Sequence, residues 1–245
     1  MLYPKKQIQL ALNAYHAKHA TPHAPVLKGT GEWGPLSVAS WNRYIAREKT
    51  LAAPTYLHMD DRLVYVYARK LLESAGIELP PPWFYVAESL IGQREIKGPK
   101  HNPLILRMWD AIGAKIRDDE TPWCAGYVGY CLDQCGLPNS RSAAARSYQK
   151  YGRKCEVQVG AIAVLSRPPS NWSGHVGIVV GKTKDGGLLL NGGNQGDAVS
   201  IAKFDPKRVL DYRWPSDWPQ ANPFARGWGK LPVFASAGAY STNEA

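Results

Sequence analysis

Near Gly152 the spacing of apolar residues changes period, and few architectures accommodate both halves of what results. Upstream, apolar side chains recur at helical spacing. Downstream, Gly160 to Leu165, Gly174 to Val180, Gly187 to Leu190, Val199 to Phe204 and Val209 to Trp214 are short strand-like runs separated by Gly, Asp, Pro and Lys turns. Helices followed by a meander of strands describe an α+β domain.

A second break lies at Leu79-Pro80-Pro81-Pro82, which no helix can cross and which marks a domain boundary. Before it, residues 5 to 19 carry Ile8, Leu12, Tyr15 and His19 at helical spacing. Gly34-Pro35 opens a second helix with Leu36, Val38, Ala39, Trp41 and Ile45 as its apolar face. Asp60 or Asp61 caps a third, with Leu63, Val66, Tyr67 and Leu71 inward and Gly76 as the stop. Residues 1–79 therefore read as a three-helix module and 83–215 as the α+β domain. In the latter, helices are expected near 83–91, at 103–116 behind Asn102 and Pro103, from the Cys124 segment to Gly136, and from about 141 to Gly152. Residues 216–245, rich in Pro, Gly, Ala and Trp without periodicity, read as an irregular tail.

At 245 residues and 44% apolar the chain can fill a core. Its 30 Lys and Arg exceed its 20 Asp and Glu, for a net charge of +10. The surplus is spread, with 10 basic against 6 acidic side chains in residues 1–82 and 20 against 14 after them. A spread excess favours loose attraction to an anionic surface over a nucleic-acid stripe, so no nucleic-acid partner is expected. No run approaches the roughly 20 apolar residues of a membrane span, and Met1-Leu2-Tyr3-Pro4-Lys5-Lys6 leads into no apolar signal core, so synthesis in a cytosol is expected. Cys124, Cys131, Cys135 and Cys155 lack the paired short spacing of a zinc site. Cys131 and Cys135 share a helical stripe with Cys124 and are expected in the core; no metal or other cofactor is expected.

Cys124 lies in Thr121-Pro122-Trp123-Cys124-Ala125-Gly126-Tyr127-Val128, read as a helix capped by Thr121, with Pro122 first and Cys124 third. The free N–H groups and positive dipole end of a first turn stabilise a thiolate. His175 opens the apolar run Gly174 to Val180. A thiol at a helix start and an imidazole on a strand are two parts of a cysteine hydrolase; the third is a polar group that holds the ring through its other nitrogen. Asn191, Asn194, Gln195 and Asp197, clustered at a strand end beside a Gly-rich turn, are all candidates for that role. Trp123 and Trp172 flank nucleophile and base and are candidate walls of a substrate groove, with core packing the equal alternative for Trp123.

The segment Trp83 to Pro215 resembles the cysteine/histidine-dependent amidohydrolase/peptidase (CHAP) family of the NlpC-type, papain-like group. The resemblance is carried by Glu95-Ile96-Lys97-Gly98-Pro99, Pro122-Trp123-Cys124-Ala125, Gly174-His175-Val176-Gly177, Gly192-Gly193-Asn194-Gln195 and Tyr212-Arg213-Trp214-Pro215. It implies a papain-like fold and cleavage of amide bonds in peptidoglycan, by an N-acetylmuramoyl-L-alanine amidase or an endopeptidase. Within it Cys124 is the nucleophile, His175 the base and Asn194 the orienting residue, with Trp123, Trp172 and Gln195 toward substrate. Glu95 matches a recurrent position and reads as an exposed carboxylate at a helix end.

Residues 1–79 resemble a peptidoglycan-binding module through Gln9-Leu10-Ala11-Leu12-Asn13 and Gly31-Glu32-Trp33-Gly34-Pro35-Leu36-Ser37-Val38-Ala39-Ser40-Trp41. Lys28-Gly29 stands where such modules usually have Asp-Gly. Together these resemblances imply a monomeric phage-type endolysin whose partner is bacterial peptidoglycan, released from the host cytosol onto the wall. A delivered antibacterial effector or virion-associated hydrolase would share the chemistry; a wall- or nucleic-acid-binding protein with an inactive papain-like domain would not.

Overall fold

The computed structural model describes residues 5–21, 24–49, 68, 71–72, 74–75, 80–218, 226–235 and 241. The backbone divides into two compact units, 1–82 and 83–245.

In the first unit, α1 (Lys5–Lys18) lies against α2 (Pro35–Lys49). Ile8, Ala11, Leu12 and Tyr15 share one face of α1 and are buried, with Tyr15 edge-on to Tyr44 at 4.7 Å. The buried face of α2 differs from the expected one. Ser37, Ser40, Trp41, Tyr44 and Ile45 point inward, whereas Leu36 and Val38 are 62% and 42% exposed. A polar contact turns the helix this way: the Ser37 hydroxyl accepts from Gln9 Nε2 at 2.9 Å. The Gln9 amide also donates to Glu32 O (2.6 Å) and accepts from Gly31 N (2.8 Å). One turn on, Asn13 exchanges bonds of 2.7 and 2.9 Å with the backbone of Leu27. Two amides four residues apart thus pin the loop between the helices. Of the expected third helix, Ala68, Leu71, Leu72 and Ser74 are described and helical, the first three buried; Leu63, Val66 and Tyr67 of its expected apolar face lie outside the described residues.

The second unit begins with α3 (Pro82–Ser89), α4 (Pro103–Ala111) and α5 (Cys124–Asp133). Asn102 caps α4 through a 2.9 Å bond from Leu104 N, with Pro103 at the first position, as the sequence predicts; α4 stops short of 116, with Gly113 at φ +72°. α5 is apolar nearly all round and packs between α4 and the sheet. The segment 141–152 forms only a 3-10 helix, Ala145–Lys150.

The strands are β1 (Arg153–Lys154), β2 (Ile162–Arg167), β3 (Ser170–Thr183), β4 (Leu188–Gly192), β5 (Ser200–Phe204), β6 (Val209–Trp214) and β7 (Val233–Phe234). They form one sheet in the order β1-β6-β2-β3-β4-β5, antiparallel throughout, and β7 joins β3 in parallel. β3 holds the centre, and Ile162 to Leu165 together with Val176, Ile178 and Val179 are fully buried, which accounts for their continuous apolar runs. Trp83 meets Trp214 at 4.9 Å and gives its indole N–H to Gly160 O at 2.7 Å.

β1 and β7 escape the sequence reading because a two-residue strand has no period to detect. β7 also seats part of the tail on the sheet. Trp228–Lys230 forms a 3-10 turn whose Trp228 carbonyl accepts from Lys182 Nζ at 2.6 Å, and Lys182 N bonds Pro232 O at 2.9 Å. None of the described helices is long and apolar enough to cross a membrane.

Candidate active site

Cys124 is the first residue of α5, not the third. Thr121 does not cap the helix: its side chain is bonded to Asp118, whose Oδ1 also accepts from the Thr121 N–H at 2.7 Å, which turns the chain before Pro122. Trp123 occupies the cap, and the helical ladder starts with Tyr127 N donating to Trp123 O at 2.9 Å. Cys124 is 4% exposed, and a first turn directs toward it N–H groups that the ladder does not use. Burial drives the Cys131 thiol well above its ordinary pKa and that of Cys155 up to about 12, so these two stay protonated. Cys135 lies beyond the end of α5 and is half-buried, not in the core stripe expected for it.

His175, on β3, is fully buried, and its ring stacks on Phe204 with centroids 5.2 Å apart. Its Nε2 lies 3.0 Å from Gln195 Oε1. The amide cannot be turned over, because Gln195 Nε2 faces the carbonyl oxygens of Ser200 (2.6 Å) and Leu190 (3.5 Å), which only accept. The imidazole therefore donates through Nε2, and in its neutral form the lone pair is on Nδ1. The ring's amide partner is thus Gln195 and not Asn194.

Asn194 is placed otherwise. Its backbone is left-handed (φ +59°), a conformation Asn tolerates, and its side chain turns toward the start of α5. Asn194 Oδ1 accepts from Trp123 N at 3.3 Å, and Nδ2 donates to Glu95 Oε1 at 2.9 Å. The same Glu95 oxygen accepts from Trp123 Nε1 at 2.8 Å. Glu95 is half-buried in this contact, which corrects its reading as an exposed helix-end carboxylate. Burial, then the nearby Asp197, Asp119 and Glu120, raises its pKa against the opposing bond from Trp123.

The two glycines before Asn194 admit no side chain. A Cβ on Gly192 would lie 2.4 Å from Gln195 Oε1 and 3.0 Å from His175 Nε2; one on Gly193 would lie 2.5 Å from the Trp123 ring and 2.6 Å from Tyr127. The turn 192–195 is therefore wedged between ring and helix. A continuous path of bonds runs from the residue before Cys124, through Asn194 and Gln195, to His175.

Three of the candidate residues are closed off from solvent. Trp123 is fully buried and is core, since its indole N–H finds its acceptor inside. Gln195 is 6% exposed with both ends of its amide engaged, and Asn191 is fully buried with Oδ1 accepting from Tyr127 Oη at 2.8 Å. Asp197 holds Glu95 by its backbone, its carbonyl accepting from Glu95 N at 3.0 Å. Trp172 alone is open, 84% exposed near the start of β3. This first stretch of β3 is held by Arg146, which donates to the carbonyls of Ser173 (2.8 Å), Asn171 and Ser170. Ser170 Oγ in turn accepts from Ser173 N at 2.9 Å.

Asp119, which the sequence reading passed over, anchors the segment leading into α5. It is fully buried and accepts from Ile96 N (2.9 Å), Asn102 N (2.8 Å) and His101 Nδ1 (3.0 Å). Burial pushes its pKa up, but these bonds outweigh that and leave it lowered. Among the described residues no three His, Cys, Asp or Glu side chains are placed to hold a metal ion.

Comparison with known proteins adds one match. A family model described as the CHAP domain covers residues 116–194, 79 of the 245 positions, from just before α5 through Asn194. No curated protein and no solved structure matches the chain. Cys124 and His175 both lie inside the matched stretch, which supports a CHAP-type hydrolase, cysteine- and histidine-dependent and directed at peptidoglycan.

Proposed function

We propose that this chain is a peptidoglycan hydrolase of the phage endolysin type, cutting a wall amide as an N-acetylmuramoyl-L-alanine amidase or an endopeptidase. Cys124 is the nucleophile, His175 the base and Gln195 the residue that orients the ring. The observation that carries this reading is the fixed Gln195 amide, which leaves the imidazole with a basic Nδ1 and a donating Nε2.

His175 Nδ1 takes the Cys124 proton, and the thiolate adds to the substrate carbonyl. The negative charge on that oxygen is met by N–H groups of the first turn of α5, Cys124 N–H foremost. The protonated ring then gives its proton to the leaving amine, and a thioester remains on Cys124. Water, deprotonated by the same Nδ1, attacks the thioester and restores the thiol. Throughout, Nε2–H stays bonded to Gln195, whose neutral oxygen stabilises the cationic ring without adding a charge of its own. Trp172, exposed at the start of β3 where Arg146 binds the main chain, offers a flat apolar face to the substrate.

The first unit is assigned to wall binding on its resemblance to peptidoglycan-binding modules, and the +10 charge favours approach to an anionic envelope. Purified protein should clear peptidoglycan suspensions, and Cys124→Ala should not; equal clearing by both excludes the nucleophile. Mass spectrometry of the released muropeptides decides the bond. Free stem peptides mean an amidase, and split stems or crossbridges an endopeptidase.

A further inference from the structure

We propose that Glu95 is a positioning residue that couples the nucleophile's helix to the turn orienting the histidine. The inference rests on the assignment of Cys124, His175 and Gln195 given above and adds a fourth side chain to it.

The backbone of Glu95 is fixed before its side chain is considered. Residues 92–95 pair with 197–199 through Gly92 N to Val199 O (2.9 Å), Val199 N to Gln93 O (2.7 Å) and Glu95 N to Asp197 O (3.0 Å), and Arg94 bridges Ala198. The next residue is held from the other side, Ile96 N donating to the buried Asp119 at 2.9 Å. Gln195 N donates to Ala198 O at 2.9 Å, so the strand that carries Glu95 is paired with the return limb of the turn that orients His175.

From this anchored position one oxygen serves two donors. Glu95 Oε1 takes the indole N–H of Trp123 at 2.8 Å and the amide N–H of Asn194 at 2.9 Å, and Asn194 closes the ring of bonds by accepting from Trp123 N at 3.3 Å. Trp123 and Asn194 are both fully buried, where an unmet N–H cannot turn to water. Each is covalently joined to a reacting or orienting group: Trp123 to Cys124, Asn194 to Gln195. Losing the acceptor would free the two sides of the site to shift independently. Asn194 would also lose a bond that holds it in the left-handed conformation from which Gln195 reaches the ring.

Rates on solubilised peptidoglycan test this, with Cys124 alkylation by iodoacetamide, read by peptide mapping, as a measure of intact sites, and the melting temperature as a measure of folding. Glu95→Leu should lower the saturated rate by between about ten- and a hundredfold with little change in KM. Glu95→Gln, which keeps an oxygen able to accept both bonds, should recover most of that loss. Trp123→Phe, which removes only the indole N–H, should lose part of the rate, and Glu95→Leu combined with Trp123→Phe should lose little more than Glu95→Leu alone. Wild-type turnover in Glu95→Leu, a Glu95→Gln variant as slow as Glu95→Leu, or a loss that only tracks the unfolded fraction would each overturn the positioning role. Activity retained in Cys124→Ala would instead overturn the catalytic assignment beneath it.

Discussion

Two consecutive amides, Asn194 and Gln195, differ by one methylene and do different jobs. The left-handed backbone at Asn194 sends its short side chain to the start of α5 and leaves the longer one to span the gap to His175. Gln195→Ala should therefore strand the buried Nε2–H of the ring. About 1–3 kcal/mol is at stake for such a group, or roughly ten- to a hundredfold in the saturated rate, with the fold intact. Asn194→Ala should act first on stability, because it removes two bonds and places a less tolerant residue at φ +59°; Asn194→Gly should melt nearer to wild type. Steady-state rates and melting curves on the three variants separate the roles, and the opposite ranking would return the orienting role to Asn194. Cys124 and His175 stand out in the sequence as candidates because few residue types do thiol chemistry and their order along the chain is informative. The choice among Asn191, Asn194 and Gln195 could not, because it turns on one φ angle that no composition encodes.

Among the elements, the start of α5 shows where local rules yield to longer-range ones. Thr121 and Pro122 have the chemistry of a cap and a first turn, yet Asp118 takes the Thr121 side chain as well as its N–H and the helix begins later. The expected face of α2 fails for a related reason, since Gln9 draws Ser37 inward. Local sequence signals located the longer strands and the Asn102 cap, and missed β7 because two residues are too few to show a period. Two predictions belong to this scale. Gly193→Ala would place a Cβ 2.5 Å from the Trp123 ring, and overpacking of that kind costs about 1–3 kcal/mol, seen as a lower melting temperature together with lost activity. Asp119, whose pKa is lowered in the folded state, contributes stability above the carboxylate's unfolded pKa of roughly 4, and that contribution is lost as pH falls through its folded value. Melting temperature measured from pH 6 downward should fall less steeply for Asp119→Asn than for wild type.

At the scale of the whole chain, the two units have different kinds of interior. The first is held by aromatic contacts and two amides that grip a loop, the second by a sheet whose central strands are buried on both faces. The assignment of wall binding to residues 1–82 predicts that Cys124→Ala protein sediments with intact wall sacculi, and that a chain beginning at Pro80 sediments less well while still cleaving solubilised fragments. Because the net charge is +10, sedimentation should weaken as salt rises above about 0.15 M, where exposed charges more than roughly 8 Å apart are screened. Full sedimentation of the shortened chain would remove the binding role from the first unit.

The turn 192–195 also sets where an engineer could work. Each of its four positions is committed, two by the lack of room for any side chain and two by bonds to opposite walls, so saturation libraries there should return mostly dead clones. Variation belongs instead at Trp172, whose side chain faces solvent while Arg146 grips only the main chain beneath it, letting the exposed surface diversify as the scaffold stays put.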